Sequence, residues 1–262
     1  MRVYDEIIIA DEHYLDTSFR ERFKDQLVLG SRGYGYWAWK PQIVLQVLKA
    51  CNSGDIVHYV DIGCHMNPAG RERLQEYFEA AGQSAAGVLA FSFDPPKPPH
   101  PYVGHKHFDL PNGHWTKGDL LDHLAVRTRA EIVDSQTIGA TTFFIKKSAP
   151  SNAFLQEWLS VIEHDFRLID DTPSVSPNPP GFIEHRHDQA IFSLLCRIHK
   201  IPCLSGYEYD YPLRSSSSTD WGSLTQYPIH ARRDKDIGLP NRVLRRLERM
   251  SAAILTRLKK SA

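Results

Sequence analysis

The chain has 262 residues, 42% hydrophobic and 24% charged, which fits one large globular α/β domain or two small ones and excludes a disordered class. Lys plus Arg and Asp plus Glu both number 31, so no global basic field points to nucleic acid as a partner. Four cysteines (Cys51, Cys64, Cys196, Cys203) with no CxxC pair argue against a disulfide framework and for a reduced, cytoplasmic location. No run approaches a membrane span, and the first ten residues lack the long apolar core of a signal peptide.

In chain order, Ile7–Ala10 reads as a short buried first strand, because β-branched residues follow one another. Residues 19–26 are polar and read as helix or loop. A dense glycine and aromatic segment follows, Gly30-Ser-Arg-Gly-Tyr-Gly-Tyr-Trp-Ala-Trp-Lys-Pro41. Pro41 suits the first turn of a helix, and Ile43, Val44, Val47, Leu48 and Cys51 give that helix one apolar face. Residues 55–61 form an apolar strand ending on Asp61. Asn67-Pro68 reads as a cap and first helical residue, with Gly82 as the C-terminal cap. Residues 87–93 read as a strand and the Pro- and His-rich residues 94–111 as a long surface loop. A short helix over 117–126 precedes a strand or hairpin around Gly139 within 136–146. Helices over 154–162 and 189–199, a proline-rich loop over 172–180 and a strand over 201–204 complete the pattern. Alternating helices and strands predict an α/β sandwich with a central, mixed, mostly parallel sheet and helices on both faces. The one composition shift lies at the end: from Asn241 onward five Arg and two Lys accompany one Glu among spaced apolar residues. That pattern predicts a basic amphipathic helix, either lying on an anionic membrane surface or docked on a protein face. The expected division is therefore residues 1–235 and 236–262.

Several residues carry chemistry. Asp61 sits at a strand's carboxyl end, where open α/β sheets bind ligands, although a turn Asp that bonds its own backbone fits the same position. Glu184-His-Arg-His-Asp-Gln189 leads into an apolar helix. Asp188 there is either a helix cap or a base and charge stabiliser fixed by the helix start. In Arg32 to Lys40 the glycines permit close backbone approach, the aromatics can stack on rings, and Arg32 and Lys40 can offset phosphate charge. The alternative is that Trp37 or Trp39 anchors the next helix. The segment is not a P-loop, because the Gly-Lys-Ser/Thr ending is missing. Gly139 inside a strand marks a bulge or a close approach to a ligand. His230 reads as a late metal ligand or as a structural histidine.

In this order the motifs Arg-Gly-Tyr-Gly-Tyr-Trp-Ala-Trp-Lys-Pro, Tyr-Val-Asp-Ile-Gly-Cys-His-Met-Asn-Pro, Trp-Thr-Lys-Gly-Asp119, residues 136–145 and Arg-His-Asp-Gln189 resemble a small nucleotide-sugar glycosyltransferase of the GT-A fold. The resemblance covers roughly residues 1–235 and is similar to transferases encoded among bacterial surface-polysaccharide genes. It implies a Rossmann-type GT-A sandwich. It implies transfer of a sugar from a nucleotide-diphosphate donor, a UDP-sugar in the first instance, to a hydroxyl of a glycan or lipid-linked acceptor. Asp188 and Gln189 would be catalytic, and Arg32, Tyr36, Lys40, Asp61, Gly63, Gln136, Gly139 and His187 would bind the donor. That fold holds Mn²⁺ or Mg²⁺ with an Asp-x-Asp signature. Asp61 matches its first carboxylate, but position 63 is glycine, so the signature is degenerate. Asp61 with His230 would be the metal ligands, and His65 or Asp94 could complete the set. The basic tail would put the enzyme at the inner face of the plasma membrane.

Two other readings fit the residues. His100, His105, His107, His114, His185 and His187 with nearby Asp could build a metal-dependent hydrolase, although no HExxH spacing occurs. A non-catalytic carbohydrate- or membrane-binding module needs only the aromatics of residues 34–39 and the basic tail.

Overall fold

The computed structural model describes residues 3–98, 109–210 and 226–231. In chain order the elements are α1 (Thr17–Arg22), α2 (Gly33–Tyr36), α3 (Trp39–Ala50), β1 (Ile56–Val60), β2 (Cys64–Met66), α4 (Arg71–Gln83), β3 (Val88–Ser92), α5 (Gly118–His123), α6 (Ala130–Val133), β4 (Ile138–Lys146), α7 (Ala149–His164), α8 (His187–Ile198), β5 (Cys203–Ser205) and β6 (Ile229–Ala231). The main sheet runs β1-β4-β3-β5, and β2 pairs with β6 in a small second sheet. Asn67 caps a single 3₁₀ turn at Pro68–Gly70 before α4 starts.

The sheet is mixed, but β1/β4 and β3/β4 are antiparallel and only β3/β5 is parallel, which corrects the expectation of a mostly parallel sheet. The physical reason is that β4 lies between β1 and β3 and runs against both. Alternation of helix and strand along a chain does not fix strand direction.

Period-two burial gives the sheet two apolar faces. Val88, Ala90, Phe143 and Ile145 pack with α1, α3, α7 and α8, including Leu48, Trp158 and Phe192. Leu89, Phe91 and Phe144 pack on the other face with Leu74 and Tyr77 of α4 and with Tyr207 and Tyr209. Helices on both faces agree with the sequence expectation. Ser148 caps α7 and exchanges bonds with Ser151, and Asp16 Oδ1 accepts from Phe19 N (2.9 Å) at the start of α1.

Two local expectations fail. Residues 7–10 form no strand, and Ile7 and Ile9 are 76% and 80% exposed. Their β propensity finds no ladder to join. Gly82 lies inside α4, whose cap is Ser84. The strand alternative for residues 136–146 holds: 138–146 are one strand, and its pairing with β3 shifts between Leu89/Phe144 and Phe91/Gly139, so the extra residues lie in β4 beside Gly139. The compact unit that contains all described residues runs to Ala231. The 235/236 division, the basic helix over 241–262 and His100, His105 and His107 lie outside the described residues. Among the described residues no helix is long and apolar enough to cross a membrane.

Candidate active site

The glycine and aromatic segment folds into a left-handed turn. Every residue from Gly33 to Trp37 has positive φ: 59°, 51°, 83°, 56° and 59°. For L-residues this conformation costs roughly 1–2 kcal/mol each, so Tyr34, Tyr36 and Trp37 are strained while Gly33 and Gly35 are not. The turn is held by Tyr36 N donating to Arg32 O (2.6 Å) and Trp37 N to Gly33 O (3.2 Å), and Trp39 Nε1 also reaches Gly33 O (3.0 Å). A side chain at position 33 would collide with the Trp37 ring, its Cβ only 2.4 Å from ring carbon. This turn delivers Lys40 into the first turn of α3.

Lys40 is the centre of the site. Its Nζ lies 2.8 Å from Asp188 Oδ2 and 3.3 Å from Asp61 Oδ1, and it donates to the Ala140 carbonyl of β4 (3.1 Å). Asp61 and Asp188, far apart in the chain, therefore meet at one buried ammonium. Asp61 follows the last residue of β1, and its backbone N–H donates to Thr141 O (2.9 Å). The Tyr59 hydroxyl donates to Asp61 Oδ1 (2.8 Å), and the Tyr59 ring lies 5.5 Å from Lys40 Nζ. After Asp61 the chain opens to solvent at Ile62 and Gly63. Asp188 is the second residue of α8, where a helix favours a carboxylate, and Gln189 N–H also bonds it. Lys40 has the opposite relation to its helix, since a cation is disfavoured at an N-terminus.

Burial pulls the two partners in opposite senses. It raises the Asp188 carboxyl to about 6, with Lys40 opposing that rise. Burial also works against the Lys40 ammonium, but Asp188 and Asp61 outweigh it and hold its pKa above the ordinary value. Burial pushes the Tyr59 hydroxyl well up, with Asp61 adding to the effect.

A second polar group adjoins the centre. His187 is buried, has φ of 48°, and packs on Tyr36 and Trp37 at 4.9 and 5.9 Å between ring centroids. Its Nδ1 lies 2.7 Å from Ile169 O and its Nε2 3.6 Å from Asp171 Oδ1. Burial lowers its pKa. Arg32 pairs with Asp171 (3.2 Å) and Glu184 (3.8 Å) at the exposed rim.

The structure thus gathers Lys40, Asp61 and Asp188, sets Gln189 beside them, and puts Arg32, Tyr36 and His187 in the adjoining group. Gly139 is one residue from the Ala140 carbonyl. An added Cβ there would fall 1.8 Å from the Tyr209 hydroxyl, so the close approach is to a side chain of this protein. Gln136 lies two residues before β4 and is tied to other segments. Its Oε1 accepts from Leu110 N (2.6 Å), and its carbonyl accepts from Arg197. His230 lies in β6 opposite His65, with Nε2 3.1 Å from Tyr227 O. Sequence reasoning missed Tyr59, Tyr209 and Asp171. Tyr59 had a signal, because residues two apart in a strand share a face. Tyr209 and Asp171 come from distant loops and had none.

A GT-A signature implies a divalent ion held by carboxylates. Here Tyr59 and Lys40 occupy Asp61 Oδ1, Lys40 sits on Asp188 Oδ2, position 63 brings no donor, and Asp94 pairs with Arg197 (3.0 Å). Among the described residues no group of three or more His, Cys, Asp and Glu side chains is assembled for a metal ion. The arranged donors do not fit a hard cation, which needs an open cage of oxygens. No family model, curated protein or solved structure matches the chain.

Proposed function

We propose that this chain is a glycosyltransferase that moves a sugar from a nucleotide-diphosphate donor, with a UDP-sugar as the first candidate, to a hydroxyl of a glycan or lipid-linked acceptor. The observation that carries the reading is the meeting of Asp61 and Asp188 at Lys40. The strained turn beside it adds support, because strain of this kind persists only where surrounding structure imposes it and is concentrated at functional sites. The starts of α3 and α8 also converge here, and helix starts favour anionic groups such as a diphosphate.

In the reaction the bond from the anomeric carbon to the diphosphate breaks, and its electron pair leaves with the phosphate. Lys40 offsets the charge that builds there. The acceptor oxygen bonds to the anomeric carbon, and its proton goes to a base. Asp188 is that base in an inverting transfer, since a carboxylate with a pKa of about 6 is well matched to neutral solution. In a retaining transfer Asp188 and Gln189 would instead face the cationic sugar. Arg32, Tyr36, Asp61, Gly63, Gly139 and His187 contribute to donor binding. Gln136 and His230 are not used. Residues 241–262 would add an anionic membrane surface as partner, which flotation of full-length and truncated protein on acidic liposomes tests.

The hydrolase reading gains no support from His185 and His187, whose ring nitrogens lie 3.0 and 2.7 Å from the backbone carbonyls of Leu168 and Ile169. The test of the transferase reading is a thermal-shift panel of nucleotides and nucleotide sugars on wild type and Asp61→Asn. A uridine diphosphate or nucleotide-sugar shift in wild type, lost in folded Asp61→Asn, is the expected result. A panel with no shift in wild type overturns the reading.

A further inference from the structure

We propose that the Lys40 ammonium is the site's own resident cation, standing between Asp61 and Asp188 where a divalent ion would otherwise sit, so that the site refuses Mn²⁺ and Mg²⁺ while this side chain is present. The first support is geometric. Nζ approaches three oxygens from three separate segments: Asp61 after β1 at 3.3 Å, Ala140 of β4 at 3.1 Å and Asp188 of α8 at 2.8 Å. The Ala140 carbonyl accepts a hydrogen bond from the ammonium, and the two carboxylates stand within ion-pair distance of it. A metal in the same gap would place like charges in contact.

The second support is burial. The Lys40 side chain is 4% exposed, so this cation cannot swing into water as a surface lysine does. The third lies in the backbone. Lys40 reaches the gap from a left-handed turn and from the helix end that disfavours a cation, and both arrangements oppose folding unless the acids compensate. The fourth is chemical. Position 63, two residues past Asp61, is glycine and brings no side-chain oxygen that could compete with Lys40 for a divalent ion. The consequence that a fixed ammonium meets the leaving diphosphate rests on the transferase reading, whereas the cation assignment itself does not.

The test titrates Mn²⁺ into the purified full chain and follows the free ion by electron paramagnetic resonance. Wild type, Asp61→Asn and Lys40→Met are compared. Wild type and Asp61→Asn are expected to behave alike, with no Asp61-dependent Mn²⁺ up to millimolar concentration. Lys40→Met is expected to gain one bound Mn²⁺, about tenfold or more tighter than any site in wild type. A stoichiometric Mn²⁺ in wild type that Asp61→Asn loses overturns the proposal, and so does folded Lys40→Met that gains none. If Lys40→Met does not fold, the first comparison decides alone. A parallel thermal shift with uridine diphosphate, in chelator and in Mn²⁺, separates the two readings. Equal shifts support both. No shift in either buffer removes the transferase and leaves the metal titration standing.

Discussion

Glu208 on one face of the sheet and Lys40 on the other each sit in an ion-paired cluster, and the two clusters are built differently. On the α4 face, buried Glu208 uses both oxygens: Oε1 accepts from Arg73 Nη2 (2.7 Å), and Oε2 accepts from Arg73 Nε (2.8 Å) and the Tyr77 hydroxyl (2.5 Å). The fork of the guanidinium matches the carboxylate, a geometry that makes a strong, fixed pair. On the α8 face, Lys40 faces two carboxylates at once, burial pushes Asp188 up to about 6, and the chain beside it is wound left-handed. The first pair is saturated and belongs to the architecture. The second is charged, strained and next to an exposed turn, which suits chemistry better than stability.

The largest test of that contrast is Glu208→Ala. Breaking the saturated pair should cost about 3–5 kcal/mol in urea denaturation. A loss below about 1 kcal/mol would erase the distinction. Next is the pH dependence of stability in wild type and Asp188→Asn. The folded pKa of Asp188 stands above its unfolded value near ~3.9, so its contribution favours the fold at low pH and is lost as pH rises through about 6. Relative to Asp188→Asn, wild type should therefore weaken by about 3 kcal/mol between roughly pH 4 and 7. Parallel curves would mean that Asp188 is not strained by burial. The smallest expected effect is Gly139→Ala, which joins the two regions, since Gly139 is on β4 and Tyr209 packs in the α4-side core. The added methyl should cost about 1–3 kcal/mol by displacing the Tyr209 ring. Tyr209→Phe in the same background should recover much of that loss, and thermal melts of both variants provide the check.

Much of this site was legible because local patterns fixed it. A strand that stops on Asp61 and a polar run that opens α8 at Asp188 are visible in one dimension. Their meeting point was not, because Lys40 reaches Ala140 across a hundred residues of chain and no spacing encodes that. The turn at 33–37 was half legible. Its glycines announced unusual backbone, but Tyr34, Tyr36 and Trp37 argue against positive φ, and tertiary packing, including Tyr36 and Trp37 on His187 and Tyr36 on Phe166, opposes that preference. Residues 7–10 failed in the opposite sense, with strong strand propensity and no neighbour. The sheet direction failed because β4 pairs between two strands that lie earlier in the chain, and pairing order is a tertiary fact.

The turn at Gly33–Trp37 has the handedness of a peptide made from mirror-image amino acids. Chemical synthesis with D-tyrosine at position 34 would satisfy by chirality what the natural chain sustains by surrounding contacts. Ribosomal synthesis offers only one achiral residue, and the chain already uses it at 33 and 35. The remaining three positions keep large rings in an inverted helical sense, so a substitution at any of them meets the same backbone demand.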